Sequence, residues 1–407
     1  MNFPPIKEQM ELISKNTVEI IPEDELEKKL AKSIKENKPL KIKLGCDPSR
    51  PDLHIGHSVV LQKLRDFQDL GHVVVLIIGD FTAMIGDPSG RNKTRPALTL
   101  EETRINGKTY FDQASKILSD KNLEIRYNSE WLEKMNFRDV IKLASHYTVA
   151  QILQRDDFEI RMKEQTPISL HELLYPLSQA MDSVAVKSDV ELGGTDQKFN
   201  LLVGRDIQQE YGQEPQCIVT MELLEGTDGV EKMSKSLDNA ICFTDSPRDI
   251  FGKTMSIPDN LILKYFTLTT PLAVTELKEI EKQLKNPKTN PRNLKVRLGY
   301  ELVKKYYDEE AAKNAEQEFE SIFVKKGIPD DIPEYDWYNI DLGLPAILKE
   351  TKLTDSTSDS TRLIKAGAVS IDGEKITDIK FDLKSVHKKE FVIKVGKRKF
   401  LKVKKNF

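Results

Sequence analysis

Six consecutive aliphatic residues, VVVLII from Val73 to Ile78, are compatible with few architectures. A strand with no polar alternation has to be covered on both faces, as a central parallel strand flanked by helices is. The preceding segment, HIGHSVVLQKLRDFQDL over 54–70, reads as a helix and stops at Gly71, a residue suited to the position just past a helix end. Ahead of it stands KIKLG, a second strand. Strand, helix, strand in this order predicts a right-handed crossover. The same run is far too short to span a bilayer.

Further along, LEIRYNS, DVELGG and QCIVTMELL read as three more strands, the last two joined by the helix TDQKFNLLVGRDIQQEYG. The fold class expected is α/β, a Rossmann-like doubly wound parallel sheet over 1–245. Residues 1–38 read as helical and charged. From 246 to 325 only helices are expected, and 326–340, rich in Pro, acids and aromatics, reads as a linker. Residues 341–407 form a small basic α/β module. The helix FRDVIKLASHYTVAQILQ has apolar residues on more than one face, more than one buried stripe needs, and the excess is read as a subunit contact.

Charge is nearly balanced, at -3 over 407 residues, but from Lys388 to Phe407 nine Lys or Arg face the single acid Glu390. A basic tail carrying Phe391, Phe400 and Phe407 points to phosphate-rich partners, although a solvated charged strand explains it as well. Cys46, Cys217 and Cys242 fit neither a disulfide framework nor a CxxC metal site, so a reducing cytoplasm is expected. The opening MNFPPIKEQMEL lacks the apolar core of a secretory leader.

The chemistry concentrates where the first strand meets its helix, in KLGCDPSRPDLHIGHSVVL from Lys43 to Leu61. Unpaired N–H groups and the helix dipole favour anions there. His54 and His57, at i and i+3, can both face a phosphate, and Gly56 between them lets a flat base approach the backbone. A surface and a core histidine beside a loop glycine would read the same way. No third ligand stands at metal spacing, so no protein-bound metal or organic cofactor is expected.

On the helix near 169–188, Tyr175, Gln179 and Asp182 fall at i, i+4 and i+7, within roughly 60° of one another. They line a pocket or face solvent. A phenol would be met by Asp182, and an ammonium by Tyr175, Gln179 and a carboxylate such as Asp87. GGTDQ, Gly193–Gln197, ends a strand where glycines admit a ribose and Asp196 accepts from its hydroxyls. KMSKS, 232–236, offers Lys232 and Lys235 as point charges for pyrophosphate. MIGDPSGRNKTRP is a Gly-, Pro- and base-rich loop suited to phosphate.

With HIGH, GDPSG, YxxxQxxD, GGTDQ and KMSKS in this order, the chain resembles the class I aminoacyl-tRNA synthetases, the bacterial tyrosyl branch in particular. The C-terminal part is similar to a small RNA-binding module shared with a ribosomal protein. The resemblance implies tyrosine and ATP as substrates, Mg2+ carried by the nucleotide, tRNA(Tyr) as partner, and a homodimer. It puts Asp47, His54, Gly56, His57, Gly194, Asp196, Lys232, Ser234 and Lys235 around ATP, with His54, His57, Lys232 and Lys235 catalytic and Arg91 and Arg95 reaching the triphosphate. Asp87, Tyr175, Gln179, Asp182 and Gln197 would hold tyrosine. Lys397, Arg398, Lys399 and Lys402 would contact tRNA.

One position departs from that pattern. The better-known branch has a tyrosine two residues before the strand glycine, and this chain has Lys43, whose ammonium could turn away or pair with Asp182. Three rivals stay open: a tryptophanyl synthetase, a small-molecule adenylyltransferase of the HxGH type, and a catalytically idle RNA-binding protein.

Overall fold

The VVVLII run forms β3 (Val73–Ile78), buried from Val74 onward. It lies in a six-stranded sheet with β1 (Thr17–Ile21), β2 (Lys41–Cys46), β4 (Leu123–Tyr127), β5 (Val190–Gly194) and β6 (Cys217–Met221), in the order β1-β6-β5-β2-β3-β4. All neighbours are parallel except β1, which runs antiparallel to β6. The computed structural model describes residues 3–48, 52–87, 100–323, 332–338, 342–396 and 399–406. It divides into two units, Met1–Lys313 and Asn314–Phe407.

From β2 the chain continues to β3 and β4 on one side, then returns to place β5 and β6 on the other. The crevice between the carboxyl ends of β2 and β5 is therefore the switch point where such sheets bind ligands. Helix Ile55–Asp69 packs Leu64 and Phe67 into the core, and helix Leu170–Val186 does the same with Leu177 and Ala180. Ser169 opens the latter helix in a capping box, its N–H donating to Glu172 Oε1 at 2.8 Å.

Two expectations need correction. Residues 1–38 are not all helical: TVEII forms β1 between helices Ile6–Ser14 and Glu23–Glu36. Its five residues carry no clear period of their own, and the partner that makes them a strand, β6, lies about two hundred residues on. The expected helix over FRDVIKLASHYTVAQILQ is two, Phe137–Ala144 and Val149–Ile152. Thr148 starts the second by accepting from the Gln151 N–H at 3.2 Å.

His72, fully buried before β3, shows how tightly the starts of β2 and β3 are specified. Its Nδ1 accepts from the Leu40 N–H at 3.2 Å, which leaves Nε2–H to donate to Gln9 Oε1 at 2.9 Å. Burial pushes the ring down to about 4. A folded value below the unfolded value of about 6.5 means that the unfolded chain binds the extra proton first. Stability is expected to fall as pH drops from about 6.5 toward 4, by at most about 3 kcal/mol from this group. Urea titrations of wild type and His72→Gln across that range check it, and parallel curves refute it.

In the second unit the strand order is β7-β11-β10-β8-β9, with β7 (Glu334–Trp337), β8 (Val369–Ile371), β9 (Glu374–Ile376), β10 (Glu390–Val395) and β11 (Lys399–Lys405). Glu334–Trp337, expected within a linker, is thus an edge strand, parallel to β11, and buries Trp337. Helices Pro247–Met255, Ile262–Thr269, Val274–Lys285 and Pro291–Tyr306 belong to the first unit.

Candidate active site

A cavity of about 1090 Å³ opens at the switch point. Its wall contains every described residue expected to hold ATP or tyrosine, from Asp47 after β2 to Lys235 beyond β6. Arg91 and Arg95 lie outside the described residues, as do Lys397 and Arg398.

The nucleotide half is assembled by a backbone bridge. Ile55 N–H donates to Ile241 O at 2.9 Å, and Phe243 N–H to Leu53 O at 3.0 Å, pairing His54 with Cys242 in antiparallel fashion. KMSKS therefore emerges beside HIGH although about 180 residues separate them. The lysine loop is itself built. Met233 N–H donates to Leu224 O at 2.9 Å, and buried Asn239 accepts from Ser234 N–H at 2.7 Å while donating to Asp228 at 2.7 Å.

The His54 and His57 rings are in contact, centroids 3.9 Å apart and planes tilted by 41°, and His57 Nδ1 accepts from the His54 N–H at 3.2 Å. Burial is the main influence on both rings, reinforced at His54 by His57 and then by the two lysines; His57 falls to about 4, and His54 lies well below its usual range. Both imidazoles are thus neutral near pH 7, each with one N–H to donate. His54 Nδ1 is buried without a hydrogen-bond partner among the described residues. A Cβ on Gly56 would stand 3.0 Å from that nitrogen, so any larger residue here would crowd the imidazole.

Both lysines already hold carboxylates. Lys232 Nζ lies 2.8 Å from Asp196 Oδ2, and Lys235 pairs with Asp52, which also accepts from Thr244 Oγ1 at 3.1 Å. Asp196 was expected on ribose and Lys235 on pyrophosphate.

The other half runs as one hydrogen-bonded chain. Tyr175 OH donates to Asp47 Oδ2 at 2.8 Å, and Asp47 Oδ1 accepts from Thr82 Oγ1 at 2.7 Å. Asn128 donates to Thr82 Oγ1 at 2.9 Å and to Asp182 Oδ2 at 3.4 Å, and Trp131 Nε1–H donates to Asp182 Oδ1 at 2.9 Å. Burial, with Asp47 and Asp87 nearby, holds the Tyr175 phenol well above its usual range, so it stays a donor. Asp182 is 3% exposed and still lines the cavity. Asp47, expected with ATP, is here tied to Tyr175.

Asp87 sits between Arg155 Nη2 at 2.8 Å and Gln197 Nε2 at 3.0 Å. Arg155, buried, also reaches Asn200 at 3.0 Å and Asp157 at 2.7 Å. Sequence reasoning missed Arg155, for which no local signal exists. It also missed Asn128 and Trp131, although Asn128 follows the carboxyl end of β4, where this fold class places functional groups. Lys43 does not pair with Asp182: its Nζ lies 2.8 Å from Glu191 Oε1.

In the second unit Lys402 pairs with Glu390 at 2.7 Å and Lys399 Nζ donates to Leu353 O at 2.8 Å. Phe391 and Phe400, read as part of a basic tail, are both buried, for different reasons: Phe391 lies on the inward face of β10 over helices Leu344–Glu350 and Thr357–Lys365, while Phe400 shares the outer face of β11 with Lys402 and Lys404 and is covered by Lys394, whose Nζ lies 5.0 Å from its ring centroid.

Comparison with known proteins gives the same picture over the whole chain. The family model "tRNA synthetases class I (W and Y)" matches residues 35–324, and "Tyrosine--tRNA ligase SYY-like C-terminal domain" matches 324–403. The chain is similar to the tyrosine–tRNA ligase of Chlorobaculum tepidum, 56% identical over 99% of this chain and 98% of that one. To its counterpart from Thermotoga maritima it is 54% identical over 98% and 97%. Its fold is similar to that of the tyrosyl-tRNA synthetase of Archaeoglobus fulgidus solved with L-tyrosine, with TM-score 0.62, 22% identity and coverage of 77% and 100%.

Proposed function

Since the chain belongs to the tyrosine–tRNA ligases of class I and so activates L-tyrosine with ATP and charges tRNA, we propose a role for each side chain of the cleft. Tyrosine lies with its phenol donating to Asp182 and its ammonium among Tyr175, Gln179 and Asp87. Gln197, on Asp87, stands near its carboxylate. ATP enters with its Mg2+. Gly56 lies under the adenine, Gly194 and Asp196 at the ribose, and Lys232, Ser234 and Lys235 at the phosphates, where Arg91 and Arg95 join them.

A tyrosine carboxylate oxygen attacks the α-phosphorus in line. The bond to the bridging oxygen breaks, pyrophosphate leaves on the lysines, and tyrosyl-adenylate remains. A ribose hydroxyl of the tRNA's terminal adenosine then attacks the carbonyl carbon and AMP departs. No side chain forms a covalent bond. His54 and His57 donate N–H groups to phosphate oxygens as charge grows there, fixed donors of the kind that stabilise a transition state most.

The observation that carries this assignment is that HIGH, KMSKS and the Tyr175-Gln179-Asp182 face line one cavity. ATP–pyrophosphate exchange with purified protein tests it. Exchange is expected with tyrosine and not above background with tryptophan, and tryptophan-dependent exchange would overturn the placement of the phenol.

The tRNA is tRNA(Tyr), with Lys397, Arg398, Lys399 and Lys402 on its backbone and the helical segment 246–325 toward its anticodon side. The homodimer contact runs through Phe137, Ile141, Val149 and Leu170, apolar side chains exposed on the first unit. The compartment is the cytosol, which suits three free cysteines.

A further inference from the structure

The floor beneath the tyrosine end holds a charge pair to which the steps above give no part. Lys43 on β2 and Glu191 on β5 are register partners on adjacent strands, with Nζ 2.8 Å from Oε1 and both side chains sealed from solvent. Nζ also donates to Ser183 Oγ at 2.8 Å and to the Gln179 backbone carbonyl at 3.3 Å. Glu191 accepts from Ser183 Oγ at 3.1 Å, from Gln179 Nε2 at 3.4 Å and from Gln216. The pair thus ties to the sheet the turns of helix Leu170–Val186 that carry Gln179 and Asp182. Lys43 is not part of the cavity wall.

A buried ion pair contributes little net stability, because desolvation offsets the attraction. This one lies behind a carboxylate that has to accept a hydrogen bond. We propose that Lys43, paired with Glu191, is a positioning residue that sets preference for a phenolic hydroxyl, by pinning the Asp182 turn and holding a positive charge behind the accepting carboxylate. This rests on the placement of the phenol against Asp182 given above.

The charged and polar groups that reach Asp182 are Lys43 from β2, Glu191 from β5, and Trp131 and Asn128 after β4. Burial raises the Asp182 carboxyl to about 7; Lys43 is the foremost influence in the other direction, and Glu191 works weakly against it. Without Lys43 the carboxyl keeps its proton to higher pH and presents a donor where an acceptor is needed.

Tyrosine- and phenylalanine-dependent exchange from about pH 6 to 9 tests the proposal. Lys43→Met is expected to raise the KM for tyrosine about tenfold near pH 7, recovering toward pH 9, and to narrow the preference for tyrosine. Lys43→Arg restores both. The double variant Lys43→Met/Glu191→Gln leaves no lone buried charge, which protects its folding, and its tyrosine limb is expected to shift the same way by roughly threefold near pH 7. A double variant whose limb superimposes on that of wild type, or whose loss is equal at every pH, overturns the proposal. Asp182→Ala separates the two readings. If it loses the preference while the double variant behaves as wild type, the phenol placement stands and the role of Lys43 falls; if it keeps the preference, both fall.

Discussion

His57→Ala is expected to slow tyrosyl-adenylate formation by roughly 30- to 1000-fold, a loss of about 2 to 4 kcal/mol of transition-state stabilisation, with Lys235→Ala in the same range. The size follows from what the residues do. His57 is neutral and preoriented, with Nδ1 already accepting from the His54 N–H, so its remaining N–H needs no reorganisation to meet a phosphate oxygen. In the proposed mechanism Lys235, which pairs with Asp52, brings its charge to the leaving group. Single-turnover measurement at saturating tyrosine and ATP reads the chemical step alone, and melting curves separate it from the loss of the His57 contact at the helix start. An unchanged rate in either variant refutes that residue's role.

The second large effect concerns selection. A site built around buried polar groups rejects an analogue lacking the matching hydroxyl by about 10⁴ to 10⁵. In the proposed placement of tyrosine the acceptor is one carboxylate, Asp182, oriented by Trp131 and Asn128. Asp182→Ala is therefore expected to cut the tyrosine over phenylalanine ratio of kcat/KM by about 10² to 10³, chiefly through tyrosine, with ATP affinity as the control. In wild type, kcat/KM for tyrosine is expected to fall below about pH 7, where burial lets Asp182 take up a proton. The same shift has a sign for folding. A carboxyl raised from about 3.9 when unfolded favours the folded state at low pH, and this contribution is lost as pH climbs through about 7. Asp182 is thus kept charged for binding at some cost in stability. A ratio that stays within a few-fold of wild type would place the phenol elsewhere.

The strands were legible because Val73–Ile78 and its relatives carry an apolar signal that needs no partner to interpret. The motif residues were legible because chemistry restricts residue type at fixed spacing: two imidazoles three apart, two lysines three apart, three polar groups on one helical face. β1 was not legible, since TVEII acquires its state from β6. Nor was the break at Ser145–Thr148, which a local cap decides.

By itself, then, the order of residues determined the sheet class, the HIGH and KMSKS motifs and the helix face that carries Tyr175, Gln179 and Asp182, since each depends on contacts within a few residues or on local periodicity. Only the folded chain decided that HIGH meets KMSKS through the His54 and Cys242 bridge, that Arg155 and Gln197 hold Asp87, and that Lys43 turns to Glu191. Those pairings join positions far apart in the chain. Burial alone selects among their possible partners, because a charge taken out of water has to find whichever opposite group the packing brings within reach.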